Sequence, residues 1–274
     1  MDLRPYPGAQ QIDHNEILSL CWYQPYFFAD DLVSGVAGSW LMKGMQATVI
    51  QQADHPKEFR RFWHSSERLA RMYQDWIDLV CAHSPVSLEQ ARVLEVACNT
   101  GYFLFSLRQR GVRSCVGIDQ APLERQRAIL SQITGIRDIE FRRARYSLEL
   151  HQLESLEPSE TFDIVIAVFI AQHLSDPLHF LRELSRRTRH VLLFHTVTFP
   201  SWPWDLSIKY LTHTGHHEKW GDAFPNDFDT WMSRPLVQHA VKACGFRRMM
   251  PIRYRPSWMP LRWYWRQLPV LCIR

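Results

Sequence analysis

ARVLEVACNTGYF, residues Ala91–Phe103, sets a buried strand against a polar turn and the opening of a helix. Val93, Leu94 and Val96 suit a strand covered on both faces. Asn99, Thr100 and Gly101 break the apolar run where a backbone must turn sharply. A helix is predicted from about Tyr102 to Arg110, stopping at Gly111. Strand, turn and helix N-terminus together form a ligand-binding crevice at the carboxyl end of a parallel strand. Glu95 stands just before the turn, so its carboxylate faces that crevice. A carboxylate there favours a cationic or hydroxyl-bearing ligand over a phosphate, which argues against a nucleoside triphosphate.

The next strand, Ser114–Asp119 (SCVGID), is apolar and ends in an acid. Asp119 lies 24 residues beyond Glu95. An acid at the end of the second strand of a βαβ unit is placed to bond both hydroxyls of a ribose. The dinucleotide fingerprint G-x-G-x-x-G is absent. The turn offers Ala97, Cys98, Asn99 and a single glycine, Gly101, so close approach of a pyrophosphate is not provided for.

These residues resemble the class I S-adenosylmethionine-dependent methyltransferases. In that family an acid is followed by a glycine-rich turn. Glu95 and Gly101 match, while Ala97 and Asn99 replace the more usual glycines. Cys and Asn ahead of the last Gly resemble a known subset of the family. Asp119 matches the ribose-binding acid, and Gln120 follows it. Phe162–Pro177 (FDIVIAVFIAQHLSDP) resembles the family's fourth strand and the loop after it. The resemblance runs in good register from about Ala91 to Thr198. It implies S-adenosylmethionine as cofactor, held by Glu95, Ala97, Asn99, Thr100, Gly101, Asp119 and Gln120. It also implies adenine contacts from Tyr146 and Ser147, although Arg145 stands where an acid is often found. Ala167, Val168 and Phe169 would pass beside the methionyl part.

Length and composition fit one large domain with an elaborated cap. Hydrophobic residues make up 46% and charged residues 22%, ordinary for a globular protein. Net charge is +4 with a pI near 8.8, too mild for a nucleic-acid footprint by itself. The arginines at 142, 143 and 145, and at 186, 187 and 189, read as solvated element ends. Six cysteines without metal spacing read as reduced thiols in a cytoplasmic protein. No signal peptide and no transmembrane-length run is seen.

Along the chain, residues 1–85 read as an N-terminal helical and aromatic cap. Residues 86–274 read as the cofactor-binding domain, with a cap insertion over 199–232. Helices are expected at Asp13–Leu20 and His55–Ala82, the second with a broad apolar stripe. Trp22–Met45 reads as a loop folded over something; members of the resembled family often carry such a lid. Strands are expected at about 91–96, 115–119, 139–145, 162–168 and 190–197, and helices at about 102–110, 122–132 and 177–188. Arg234–Ala243 should form another helix, and Phe246–Tyr254 and Leu268–Ile273 the last strands. The alternation predicts an α/β fold: a Rossmann-like, doubly wound, mostly parallel sheet. The resemblance implies seven strands with the last one antiparallel.

Two histidines are candidates for chemistry. His173 follows the fourth strand, close to where a methyl group would sit, and suits a base that takes a proton from an OH or NH nucleophile. His195, near the end of the fifth strand, is the second; its alternative role is a satisfied core histidine. Tyr23, Phe27, Trp202 and Trp204 lie in the two cap segments and suit a dry aromatic pocket around a sulfonium, or ordinary cap packing. The cap segments are expected to pack on each other over the crevice. His213, His216, His217 and Glu218 match no strong zinc spacing, and no metal is expected. Methyl transfer relies largely on proximity and orientation. The expected activity is methyl transfer to O, N or C of a small-molecule acceptor, with no membrane or nucleic-acid partner. The alternatives are cyclisation or lysis of the cofactor to methylthioadenosine, tRNA modification, or a cofactor-binding regulator without turnover.

Overall fold

The computed structural model describes residues 12–35, 49–143, 153, 155–199, 201–212, 228–252 and 267–274. Its strands are β1 (Phe27–Ala29), β2 (Leu32–Ser34), β3 (Val49–Gln51), β4 (Arg92–Val96), β5 (Ser114–Asp119), β6 (Ile139–Arg143), β7 (Phe162–Val168), β8 (Thr188–Phe199), β9 (Ile208–Thr212), β10 (Phe228–Ser233), β11 (Arg248–Pro251) and β12 (Gln267–Ile273). Its helices are α1 (His14–Leu18), α2 (Pro56–His83), α3 (Tyr102–Gln109), α4 (Glu124–Thr134), α5 (Pro177–Arg187) and α6 (Arg234–Ala243).

Among the described residues the central sheet has nine strands, seven in the order β11-β12-β8-β7-β4-β5-β6, with β10 beside β8 and β9 beside β10. Pairings from β8 through β6 are parallel, while β12 runs against its neighbours β8 and β11, and β9 runs against β10. The doubly wound, mostly parallel sheet with an antiparallel last strand is therefore present. Strand alternation divides the core between two faces. Val93, Ile164 and Leu193 meet α2, α3 and α4 on one side. Leu94, Val165 and Leu192 meet α5 and α6 on the other.

Two regions depart from expectation. Within Trp22–Met45, Phe27–Ala29 and Leu32–Ser34 form a hairpin around Asp30 and Asp31, and Val49–Gln51 adds a third strand. Trp22, Tyr26, Phe28 and Val33 are buried in the same core as the central sheet. Its described part, residues 22–35, is packed structure, since the aromatics there can leave water only by joining that core. The insertion after β8 is also regular. β8 runs on to Phe199 because β10 pairs with Thr198 and Phe199, and β9 pairs antiparallel with β10. Among the described residues no helix is long and apolar enough to cross a membrane.

Candidate active site at the carboxyl edge of the sheet

β4 and β7 are adjacent, with Val96 opposite Ala167, so the turns that follow them share one edge. The only non-glycine residues with positive φ among those described sit in these two turns: Ala97 (57°), Asn99 (53°) and Phe169 (60°). Side chains resist this left-handed region, and such strain gathers at ligand sites. Gly101 follows at φ 93°, and a Cβ there would lie 2.9 Å from the Phe141 ring. The glycine is thus needed twice, for conformation and for space.

Glu95, next to last in β4, pairs with Gly117, and Asp119 ends the neighbouring β5 two residues further on. Both are buried, and Oε2 of Glu95 has no hydrogen-bond partner among the described residues. Burial, then the neighbouring Asp119 carboxylate, push the Glu95 carboxyl well above its usual range. Asp119 accepts hydrogen bonds from the backbone N–H of Asn99 (2.7 Å) and of Ala121 (2.8 Å). Burial raises its carboxyl, and these bonds draw it part of the way back. Two buried acids with unfilled acceptor capacity call for a ligand that brings hydroxyls and positive charge. Gln120, next to Asp119, is half-buried at the same edge.

The turn is supported from the N-terminal segment. Gln24 Oε1 accepts from the Thr100 hydroxyl (2.7 Å), the Tyr102 backbone N–H (3.0 Å) and the Tyr26 hydroxyl (3.1 Å). Gly101, at the N-cap of α3, has no side chain to satisfy the first turn, so Gln24 supplies the missing acceptor. Thr100 is thereby committed to this network and fully buried.

At β7, Ala167 is buried and the Phe169 ring lies 3.9 Å from that of His195. His195 is buried and also stacks on Trp76 of α2 at 5.5 Å. Its ring is a packed layer beneath Phe169. His173 ends a 3-10 turn, Ala171–His173, and is more accessible. Its Nδ1 lies 2.8 Å from Asp229 Oδ1 on β10, and its Nε2 lies 3.1 Å from the Gln172 side-chain amide. The Asp229 carboxylate thus stands beside Nδ1 and the Gln172 amide beside Nε2. Gln172 also donates to the Phe169 carbonyl at 2.8 Å, tying the imidazole to the strained residue.

The cap residues are placed differently from expectation. Trp202 and Trp204 are 70% and 76% exposed and stack on each other at 5.5 Å. Neither is buried against the rest of the protein, and the described packing of the insertion comes from β10 pairing with the end of β8. Phe27 packs edge-on against Trp63 of α2 at 4.8 Å, and Tyr23 is half-buried. Tyr146, Ser147 and the histidines at 213, 216 and 217 lie outside the described residues. Sequence reasoning missed Gln24, Arg127 and Asp229. Each acts across long chain separation, and each looks like an ordinary polar residue in its local context.

A family model described as "Methyltransferase domain" matches residues 66–248. The tRNA U34 carboxymethyltransferase of Hydrogenovibrio crunogenus is 24% identical over 193 residues, covering 68% of this chain and 51% of that protein. The tRNA U34 carboxymethyltransferase of Vibrio vulnificus strain YJ016 is 35% identical over 112 residues, 40% of this chain and 32% of that protein. The chain thus spans about half or less of the length of these relatives. Among solved structures, the N-terminal domain of EvdMO1 in the presence of SAH and D-fucose superposes with a TM-score of 0.56 at 17% identity, covering 73% of this chain and 81% of that one.

Proposed function

The chain belongs to the methyltransferase-domain family, and we propose that it is an S-adenosylmethionine-dependent enzyme that methylates an O–H or N–H group of a small organic acceptor. The observation that carries this proposal is the His173–Asp229 pair at the mouth of the crevice. A carboxylate-oriented imidazole beside the reacting methyl is useful only when the acceptor has a proton to lose.

The unpartnered Glu95 oxygen and the buried Asp119 fit the cofactor. Asp119 would take the ribose hydroxyls, and Glu95 would face the positive amino-acid end. Ala97, Asn99 and Gly101 give the backbone path around it, while Ala167 and Phe169 bound the methionyl side. Bound there, S-adenosylmethionine supplies an electrophilic methyl group on a sulfonium. His173 receives the acceptor's proton at Nε2 as the acceptor displaces the Gln172 amide, and Asp229 steadies the resulting imidazolium. Removing water around Phe169 and aligning the acceptor do the rest of the work.

A second reading is methylation of tRNA, favoured by the exposed Trp202–Trp204 stack, which offers a flat surface to a base, and by the relatives that act on tRNA. Transfer from methyl-labelled S-adenosylmethionine into cell extract, fractionated into RNA and small molecules, separates the two. Label in the small-molecule fraction is expected. Label confined to RNA overturns the small-acceptor proposal.

A further inference from the structure

We propose that Arg127 is a positioning residue that takes over the work of the glycines missing from the cofactor turn. Arg127 projects from α4 and is buried. Its guanidinium donates twice to the Asn99 carbonyl, at 2.7 and 3.1 Å, and reaches Cys98 Sγ at 3.6 Å. Its plane lies 4.5 Å over the Phe141 ring, the same ring that fills the space beside Gly101 and Gly117. Asp119 meanwhile accepts the Asn99 N–H at 2.7 Å. Asn99 is therefore gripped at both its amide and its carbonyl by charged side chains, one acid and one base.

That grip falls on the residues that need it. Ala97 and Asn99 both hold positive φ, where glycine is at ease and a side chain is not. Unaided, a turn with these residues would relax toward ordinary φ and swing its N–H groups out of the crevice. Charge-assisted bonds to the one carbonyl that follows the strained pair hold it against that relaxation. The positive charge of Arg127 also stands near Glu95 and Asp119 and favours their ionised forms. The clamp comes from a residue 28 positions further along the chain.

The role is read with three variants: Arg127→Met, which keeps the stem on Phe141 and removes the guanidinium, Ala97→Gly/Asn99→Gly, and the three changes combined. The first readout is amide exchange without any cofactor at Cys98 and Gly101, whose N–H groups bond the carbonyls of Ile118 and Cys98. Exchange at both should quicken in Arg127→Met and return toward wild type in the combined variant. The second is calorimetric affinity for S-adenosylhomocysteine, which rests on the cofactor assignment above. Arg127→Met should weaken it roughly ten- to a hundred-fold, as expected for losing charge-assisted hydrogen bonds, and the glycines should restore most of that. Unchanged exchange in Arg127→Met overturns the clamp. So does quickened exchange that the glycines fail to reverse, because Arg127 would then act through general folding. Failure of the wild-type protein to bind the cofactor would sink the cofactor assignment and leave the exchange result to decide the clamp.

Discussion

Nδ1 of His173 lies 2.8 Å from Oδ1 of Asp229, joining the turn after β7 to the strand that the insertion adds to the sheet. On the proposed reading, in which His173 is the base, the insertion helps to position it. His173→Gln should lower turnover by roughly 10²–10⁴ while leaving cofactor affinity nearly intact. Asp229→Asn should lower turnover as well, because an amide no longer enforces the Nδ1–H tautomer. Single-turnover rates with calorimetric affinities check both. Wild-type turnover in a stably folded His173→Gln protein would leave the pair only a tether for the insertion.

Asp119 should carry a measurable part of cofactor affinity. Its two oxygens are already oriented by the Asn99 and Ala121 amides, so no reorganisation is needed on binding. Asp119→Ala should weaken binding by about 1.5–3 kcal/mol, the range for hydrogen bonds to a charged group. Calorimetry reads this directly, and unchanged affinity would remove Asp119 from the ribose.

What was legible in the sequence was what local pattern encodes. The strands β4, β5 and β7 announced themselves by apolar runs carrying Glu95, ending in Asp119 and running into a polar loop, and their alternation with helices gave the mostly parallel sheet. The N-terminal hairpin was hidden because its strands are only three residues each, too short for a period to show. Asp229 and Arg127 were invisible for a different reason. Their roles arise from tertiary juxtaposition, and nothing in their neighbours distinguishes them from solvated charges.

Glu95 should give the protein a characteristic pH dependence. Burial and Asp119 raise its folded carboxyl above the unfolded value, so the folded state holds the proton more tightly. Stability from this group is present at low pH and is lost as pH rises from the unfolded value, about 4.3, toward the raised folded one. Glu95→Gln should flatten that fall in thermal melts of the cofactor-free protein. A positively charged ligand reverses the preference, so binding below the raised value should release a proton, seen as buffer-dependent binding heat. A wild-type melting profile that does not fall across this range would contradict the buried-acid account.

Trp202 and Trp204 separate the two acceptor classes. Both are exposed and contact each other more than the core, so replacing both with Ala should change unfolding free energy by no more than about 0.5 kcal/mol. With a small acceptor bound at His173, kcat/KM should stay near wild type. A tenfold or greater rise in KM for an RNA substrate, with folding intact, would instead identify the pair as a base-stacking surface.

Gln24 is the point where the N-terminal segment enters the site. Its carbonyl oxygen stands in for an N-cap that Gly101 cannot provide and gathers the Thr100 and Tyr26 hydroxyls and the Tyr102 amide. Gln24→Ala removes an acceptor shared by three buried donors, of which the Tyr26 and Thr100 hydroxyls keep their mutual contact at 2.9 Å, so stability should drop by about 1–3 kcal/mol in urea titration. The same variant should bind the cofactor more weakly than this loss alone explains, because Thr100 and Gly101 form the floor of the turn. Tyr26→Phe removes a single contributor and should have a smaller effect in both measurements. If Gln24→Ala lowers stability yet binds the cofactor with wild-type affinity, the N-terminal segment braces the fold without shaping the crevice. Deleting the segment altogether is the blunter experiment: Trp22, Tyr26 and Phe28 share the central core, so truncation should unfold the sheet, and only the point variants can distinguish bracing from binding.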